Sequence, residues 1–175
     1  MMMKNLTIAF LAGVLISCGS GNSDSDNLNK TKEAETSFNR LYASFTTSFD
    51  EHGDMEKLKK SADSLVIYFN IILEQKEPSE HLSDLYFSIA QVSMKVDRAK
   101  EAIQYFDAIE TKFPTDDKVS KSLYLKGHTY EDILKDTAQA VAAYKHLYKT
   151  YPESEWSQNA KNQVLHLNNP SADQE

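Results

Sequence analysis

The sequence predicts an all-α protein, about three helical hairpins stacked as a solenoid and closed by a C-terminal capping helix. Three observations carry that prediction. From Glu33 to Leu167 apolar residues recur three and four positions apart, the spacing of one helix face, and no stretch pairs off as alternating strands. Breakers interrupt the pattern at intervals, with Gly53-Asp54, Pro78, Asp97, Pro114, Asp136 and Pro152 falling between the apolar runs. Two of the resulting hairpins also superpose on one another at a constant offset.

The elements follow in order. Phe38, Leu41, Tyr42, Phe45 and Phe49 form one stripe of a first amphipathic helix beginning near Glu33. Gly53 is the expected stop and Asp54 the expected N-cap of the next helix. That second helix, from about Met55 to Gln75, contains the run Leu65 to Leu73, apolar almost all round, which predicts cover on several sides. Helices over Leu82 to Lys95 and Arg98 to Phe113, then Lys118 to Leu134 and Thr137 to Tyr151, repeat the rhythm. Asp97 and Asp136 stand at N-cap positions, and Gln139 three residues after Asp136 completes a variant capping box. A last helix over Glu155 to Leu167 presents Trp156, Ala160, Val164 and Leu167 at core spacing, and the polar tail 168–175 is expected to fray.

Superposing the second and third hairpins pairs Ala102 with Ala140, Phe106 with Tyr144, Ile109 with Leu147 and Phe113-Pro114 with Tyr151-Pro152, an offset of 38 throughout. An alanine, an aromatic four later, an apolar residue three after that and a closing proline resemble the second half of a tetratricopeptide repeat. The first halves add Tyr86, Ile89 and Ala90 in one hairpin and Gly127 and Tyr130 in the other. Three departures stand out: Ser93 replaces a tyrosine, Lys126 occupies an apolar position, and the third hairpin is one residue longer. The resemblance covers about residues 33–167, with 80–160 the stronger part.

Ahead of the helices, Lys4 and the apolar segment Leu6 to Ile16 have the form of a secretory signal, too short to cross a bilayer core of about 30 Å. Leu15-Ile16-Ser17-Cys18 resembles a bacterial lipobox, which implies removal of residues 1–17 and lipidation of Cys18, the only cysteine. No disulfide can then form within the chain. Residues 18–32, rich in Ser, Asn, Asp and Gly, are expected to be a flexible tether spanning roughly 20 Å as a coil. Gly19 is not the aspartate that holds enterobacterial lipoproteins at the inner membrane, so the resemblance implies an outer-membrane anchor facing the periplasm. Asp24 and Asp26 keep surface exposure open as the alternative.

The chain carries 19 basic and 26 acidic residues, a formal charge of −7, and the lysines are interleaved with acids, which argues against nucleic acid as partner. No nucleophile–base pair, His-Glu-x-x-His motif or phosphate loop is present. The five histidines lack the spacing of metal ligands, so no catalytic residue, metal or cofactor is expected. By the repeat's register, the groove that such domains use for partners takes Asp84, Phe87, Gln91 and Met94 from one hairpin and Lys121, Tyr124, His128 and Glu131 from the next. The mixture of apolar residues and both charges suits a protein or peptide partner. The expected function is a lipid-anchored envelope adaptor. The alternative is a small glycan- or peptide-binding lipoprotein serving a transporter, and small envelope lipoproteins of outer-membrane assembly or cell-wall coordination share this layout.

Overall fold

The computed structural model describes residues 23–74 and 81–169, and every element among them is helical. They are α1 (Ser23–Asp50), α2 (Met55–Leu73), α3 (Leu82–Lys95), α4 (Ala99–Lys112), α5 (Lys118–His128), a π-helical turn (Thr129–Ile133) that prolongs α5, α6 (Thr137–Thr150) and α7 (Glu155–Asn168). Successive helices pair as α1/α2, α3/α4 and α5/α6, and α7 closes the last hairpin against α6 and α5. This is a tetratricopeptide-like helical repeat fold. The segment expected as a signal, Cys18, Pro78 and residues 170–175 lie outside the described residues.

Packing follows the repeat pattern closely. Ala102 and Ala140, Phe106 and Tyr144, and Ile109 and Leu147 are each fully buried, so residues equivalent by the 38-residue offset occupy equivalent places. The first hairpin supplies Phe38, Phe45, Leu65 and Phe69 to the same core. Phe69 meets Tyr86 and Tyr105 edge-on, with ring centroids 4.9 and 5.6 Å away, and so ties the first hairpin to the second. Each such buried ring contributes about 1.5–3 kcal/mol through the apolar surface it removes from water.

Small residues set how closely the helices approach. A Cβ placed on Gly127 would lie 2.6 Å from Cδ1 of Tyr144, so the α5/α6 crossing exists only because that position has no side chain. Lys126 beside it, out of place in an apolar position, runs toward α4, where its Nζ pairs with Asp107 at 2.5 Å. Its stem packs while its charge is matched. Ser93, which replaces an expected tyrosine, is simply buried.

The extra residue of the third hairpin is absorbed inside a helix. The turns from Lys95 to Ala99 and from Ile133 to Thr137 each hold three residues, so the insertion is not in the connection. It appears as the π turn, where the Leu134 amide reaches back five residues to the Thr129 carbonyl at 3.1 Å.

Several expectations need correction. Helix α1 starts at Ser23 rather than Glu33, so most of the segment expected as a flexible tether is helix. The composition rule missed it because Asn27 to Glu33 lie along the end of α2, and Ala34 there is buried. Helix α2 is less covered than its apolar run suggested, since Ile67 is 57% exposed. Gly53 is not the left-handed residue that ends α1; His52 is, at φ 58°. Glycine is required next to it for room, because a Cβ on Gly53 would sit 2.5 Å from the Ser48 carbonyl oxygen. Asp97 likewise ends α3 at φ 62° instead of capping α4, and Arg98 takes the N-cap position. Asp54 and Asp136 do cap: Asp54 accepts from the amides of Glu56 and Lys57, and Asp136 from that of Gln139.

Two stability outcomes follow. Gly127→Ala should lower the urea-unfolding free energy by about 1–3 kcal/mol, because Tyr144 must shift to admit a methyl group. Asp136→Ala should cost about 1 kcal/mol through loss of the α6 cap. Equilibrium denaturation followed by circular dichroism checks both.

Candidate functional site

Helices α3, α5 and α7 place a row of aromatic residues beside one lysine. The Nζ of Lys121 on α5 lies 5.4 Å from the ring centroid of Phe87 on α3 and 5.5 Å from that of Trp156 on α7. Tyr124, one turn along α5, has its ring centroid 5.1 Å from Trp156 and 5.4 Å from Tyr144. Gln163 of α7 donates to the Tyr124 hydroxyl at 3.5 Å, a long bond. The four side chains are all half-buried, so they form a shelf whose edges stay open to solvent. No carboxylate among the described residues is within ion-pairing distance of Lys121. Its positive charge is balanced only by the faces of two rings, an arrangement that leaves it available to an anionic group.

Of the residues expected in the groove, Phe87, Lys121 and Tyr124 therefore come together, and the other five are engaged within the fold. Asp84 binds the Lys118 ammonium at 2.9 Å and faces His81 at 3.5 Å. The Tyr42 hydroxyl of α1 donates to Gln91 Oε1 at 3.1 Å. Met94 packs on the core. His128 Nε2 faces Asp132 at 2.9 Å, while its Nδ1 is buried without a partner. Glu131 accepts from the Tyr144 hydroxyl at 2.8 Å, and burial, then that bond, pushes the phenol well above the ordinary tyrosine range.

Trp156 was read as core and is instead half-buried on the shelf. A lone tryptophan opening the last helix is the signal that could have marked it. Tyr42 is the second residue of note, because it carries α1 against α3.

Lys118 organises the entrance. Besides Asp84, it reaches Asp117 at 3.0 Å and Asp116 at 3.6 Å. Asp84 first, then Asp117, hold its ammonium protonated well above the usual lysine range. Burial alone would push the Asp116 carboxyl up, but hydrogen bonds from Ser83 and the Lys118 amide and the nearby ammonium reverse it, so its pKa lies below the ordinary value.

Between α1 and α3 there is a cavity of about 200 Å³ lined by Glu35, Asn39, His81, Asp84, Leu85 and Ser88. A second, of about 470 Å³, lies between α1 and α2 and is lined by residues that include Lys30, Tyr68 and Glu74. Among the described residues no group of three or more His, Cys, Asp or Glu side chains could hold a metal.

A stacked-hairpin fold with an open aromatic shelf defines a helical-repeat interaction module. Residues 121–154, from Lys121 through the Tyr151-Pro-Glu-Ser turn, match the family model of the tetratricopeptide repeat. That span is one repeat in length, running along α5, the π turn and α6. Tetratricopeptide repeats serve in general as protein–protein interaction modules and are typically non-enzymatic scaffolds. A search of curated proteins found no match.

The Lys118 cluster sets a pH dependence. With Asp116 lowered, its contribution is present above the ordinary aspartate pKa of about 3.9 and is lost as pH falls through the folded value. With Lys118 raised, its contribution is present below about 10.4 and is lost as pH rises through the folded value. Lys118→Met should therefore lower stability by about 1 kcal/mol at neutral pH, and the variant and wild-type urea midpoints should converge once pH has fallen through the lowered Asp116 value.

Proposed function

We propose that the protein is a lipid-anchored adaptor of the bacterial cell envelope, held at the outer membrane through Cys18 and facing the periplasm. It binds a partner protein on the face formed by α3, α5 and α7. The carrying observation is the shelf of Phe87, Lys121, Tyr124 and Trp156, which combines large rings with an uncompensated charge at the centre of the repeat region. Tyrosine and tryptophan lose little conformational freedom on binding and bury much area, which suits them to protein interfaces. The anchor rests on Leu15-Ile16-Ser17-Cys18 and the short apolar segment before it.

Two experiments test the two halves of this reading. Cys18→Ala should abolish incorporation of radiolabelled palmitate and move the protein from the membrane to the soluble fraction of cell extracts. Retention at the membrane without label would refute lipid anchoring. In intact cells, a photo-crosslinking residue at position 159, exposed on α7 between Trp156 and Gln163, should capture a discrete envelope protein, and Phe87→Ala with Tyr124→Ala should abolish the capture while the helical circular dichroism spectrum persists. Unchanged capture by the double variant would exclude the shelf as the docking face.

A further inference from the structure

The partner's chemistry can be taken further, and this step rests on the adaptor reading. The face formed by α1, α3 and α5 carries two charges of opposite sign, Glu35 and Lys121, that no ion pair among the described residues matches, one on each side of α3. On α1, the stripe Glu35, Asn39 and Tyr42 lies at spacing i, i+4, i+7 and faces the stripe Asp84, Ser88 and Gln91 of α3, joined by the Tyr42–Gln91 bond. The cavity between these stripes is polar, and its size of about 200 Å³ fits one long side chain rather than a free ligand of drug size. No cation among the described residues pairs with Glu35. Asp84 is matched by Lys118 and faces His81, which also lines the cavity, but the Lys118 ammonium is shared with Asp116 and Asp117, so with Glu35 the carboxylates around the cavity outnumber its cations. On the other side of α3 the shelf presents Lys121 between two rings with no carboxylate beside it. Asp84 lines the cavity and Phe87 begins the shelf less than one turn later, so the two features are continuous.

We infer that the groove takes an extended peptide segment of the partner that places a basic side chain in the Glu35–Asp84 cavity and an acidic side chain on Lys121. Neighbouring packed helices stand about 8–10 Å apart. The cavity sits between α1 and α3 and the lysine over α5, so the two subsites are about one and a half helix spacings, roughly 14 Å, apart. An extended chain advances about 3.3 Å per residue, which puts the two charged residues about four positions apart. Opposite charges at the two ends give the segment a single direction along the groove and disfavour the reversed one.

The test uses the chain from residue 19 onward, which retains every helix described, on an array of short synthetic peptides carrying one arginine and one glutamate at every separation and in both orders. One order should bind, with a maximum near a separation of four, and peptides of the opposite order should bind about tenfold more weakly. Lys121→Glu should remove the dependence on the peptide glutamate while leaving that on arginine, and Glu35→Lys should do the converse. The double variant should prefer the reversed order, a result that no loss of folding can imitate. Binding that ignores order and separation, that selects only one charge, or that is absent from the array would overturn the inference. A glycan array bound in place of the peptides would do the same. If crosslinking at position 159 still captures a partner while the peptides fail, the adaptor reading stands and only the charge pairing is wrong.

Discussion

Everything on the C-terminal side of α4 depends on the contact between Tyr144 and the bare backbone at Gly127. Because the ring lies where a side chain would be, α5 and α6 cross closely enough for Tyr144 to touch Tyr124 on one side and donate to Glu131 on the other. The position of Tyr124 in turn sets where Trp156 can stack, and Trp156 with Phe87 brackets Lys121. A packing constraint in the hairpin interior is thus transmitted through three contacts to the face where the repeat offers an unmatched charge between rings. Core and surface are one structure here, and the aromatic residues are the means of coupling.

The π turn belongs to the same logic. An inserted residue placed in the α5/α6 connection would have displaced the Asp136 cap or rotated α6 relative to α5. Held within the helix, it leaves the three-residue turn and the cap intact and preserves the register of Ala140, Tyr144 and Leu147 against the core. The insertion widens the helix just after His128, the one residue among those described whose buried side-chain nitrogen finds no partner. Preserving register across the repeat thus coincides with a small local defect.

What could be read from the sequence was whatever depends on periodicity. Ala102 and Ala140, Phe106 and Tyr144, and Ile109 and Leu147 could be placed in the core because burial in a stacked hairpin is a function of position modulo the repeat. Asp54 and Asp136 could be placed because a cap is local chemistry. Asp97 deceived for a reason equally local: aspartate tolerates the left-handed conformation that ends a helix, and the residues around it do not reveal which role it takes. The groove was harder still. Register puts eight residues on one face, but whether each is available depends on what other helices bring to it. Tyr42 takes Gln91 and Lys118 takes Asp84 from elements remote in the chain, and Tyr144 takes Glu131 from the neighbouring helix. Trp156 stands at core spacing, yet its ring lies half-buried against Tyr124 and beside Lys121, a placement that spacing within α7 does not specify.

The early start of α1 bears on the mechanics of the proposed attachment. Between Cys18 and Ser23 the chain can extend by at most about 17 Å, and beyond that point α1 runs as a helix about 42 Å long, from which the other helices are stacked. On the proposed lipid anchor, the helical domain would stand within that short reach of the bilayer. It would sweep a thin layer next to the membrane and exclude partners whose binding segments stand farther away. Within that layer, confinement raises the local concentration of the groove for any partner held in the same membrane. A modest affinity for a short charged segment would then suffice for stable association, and the same segment on a freely diffusing protein would be released.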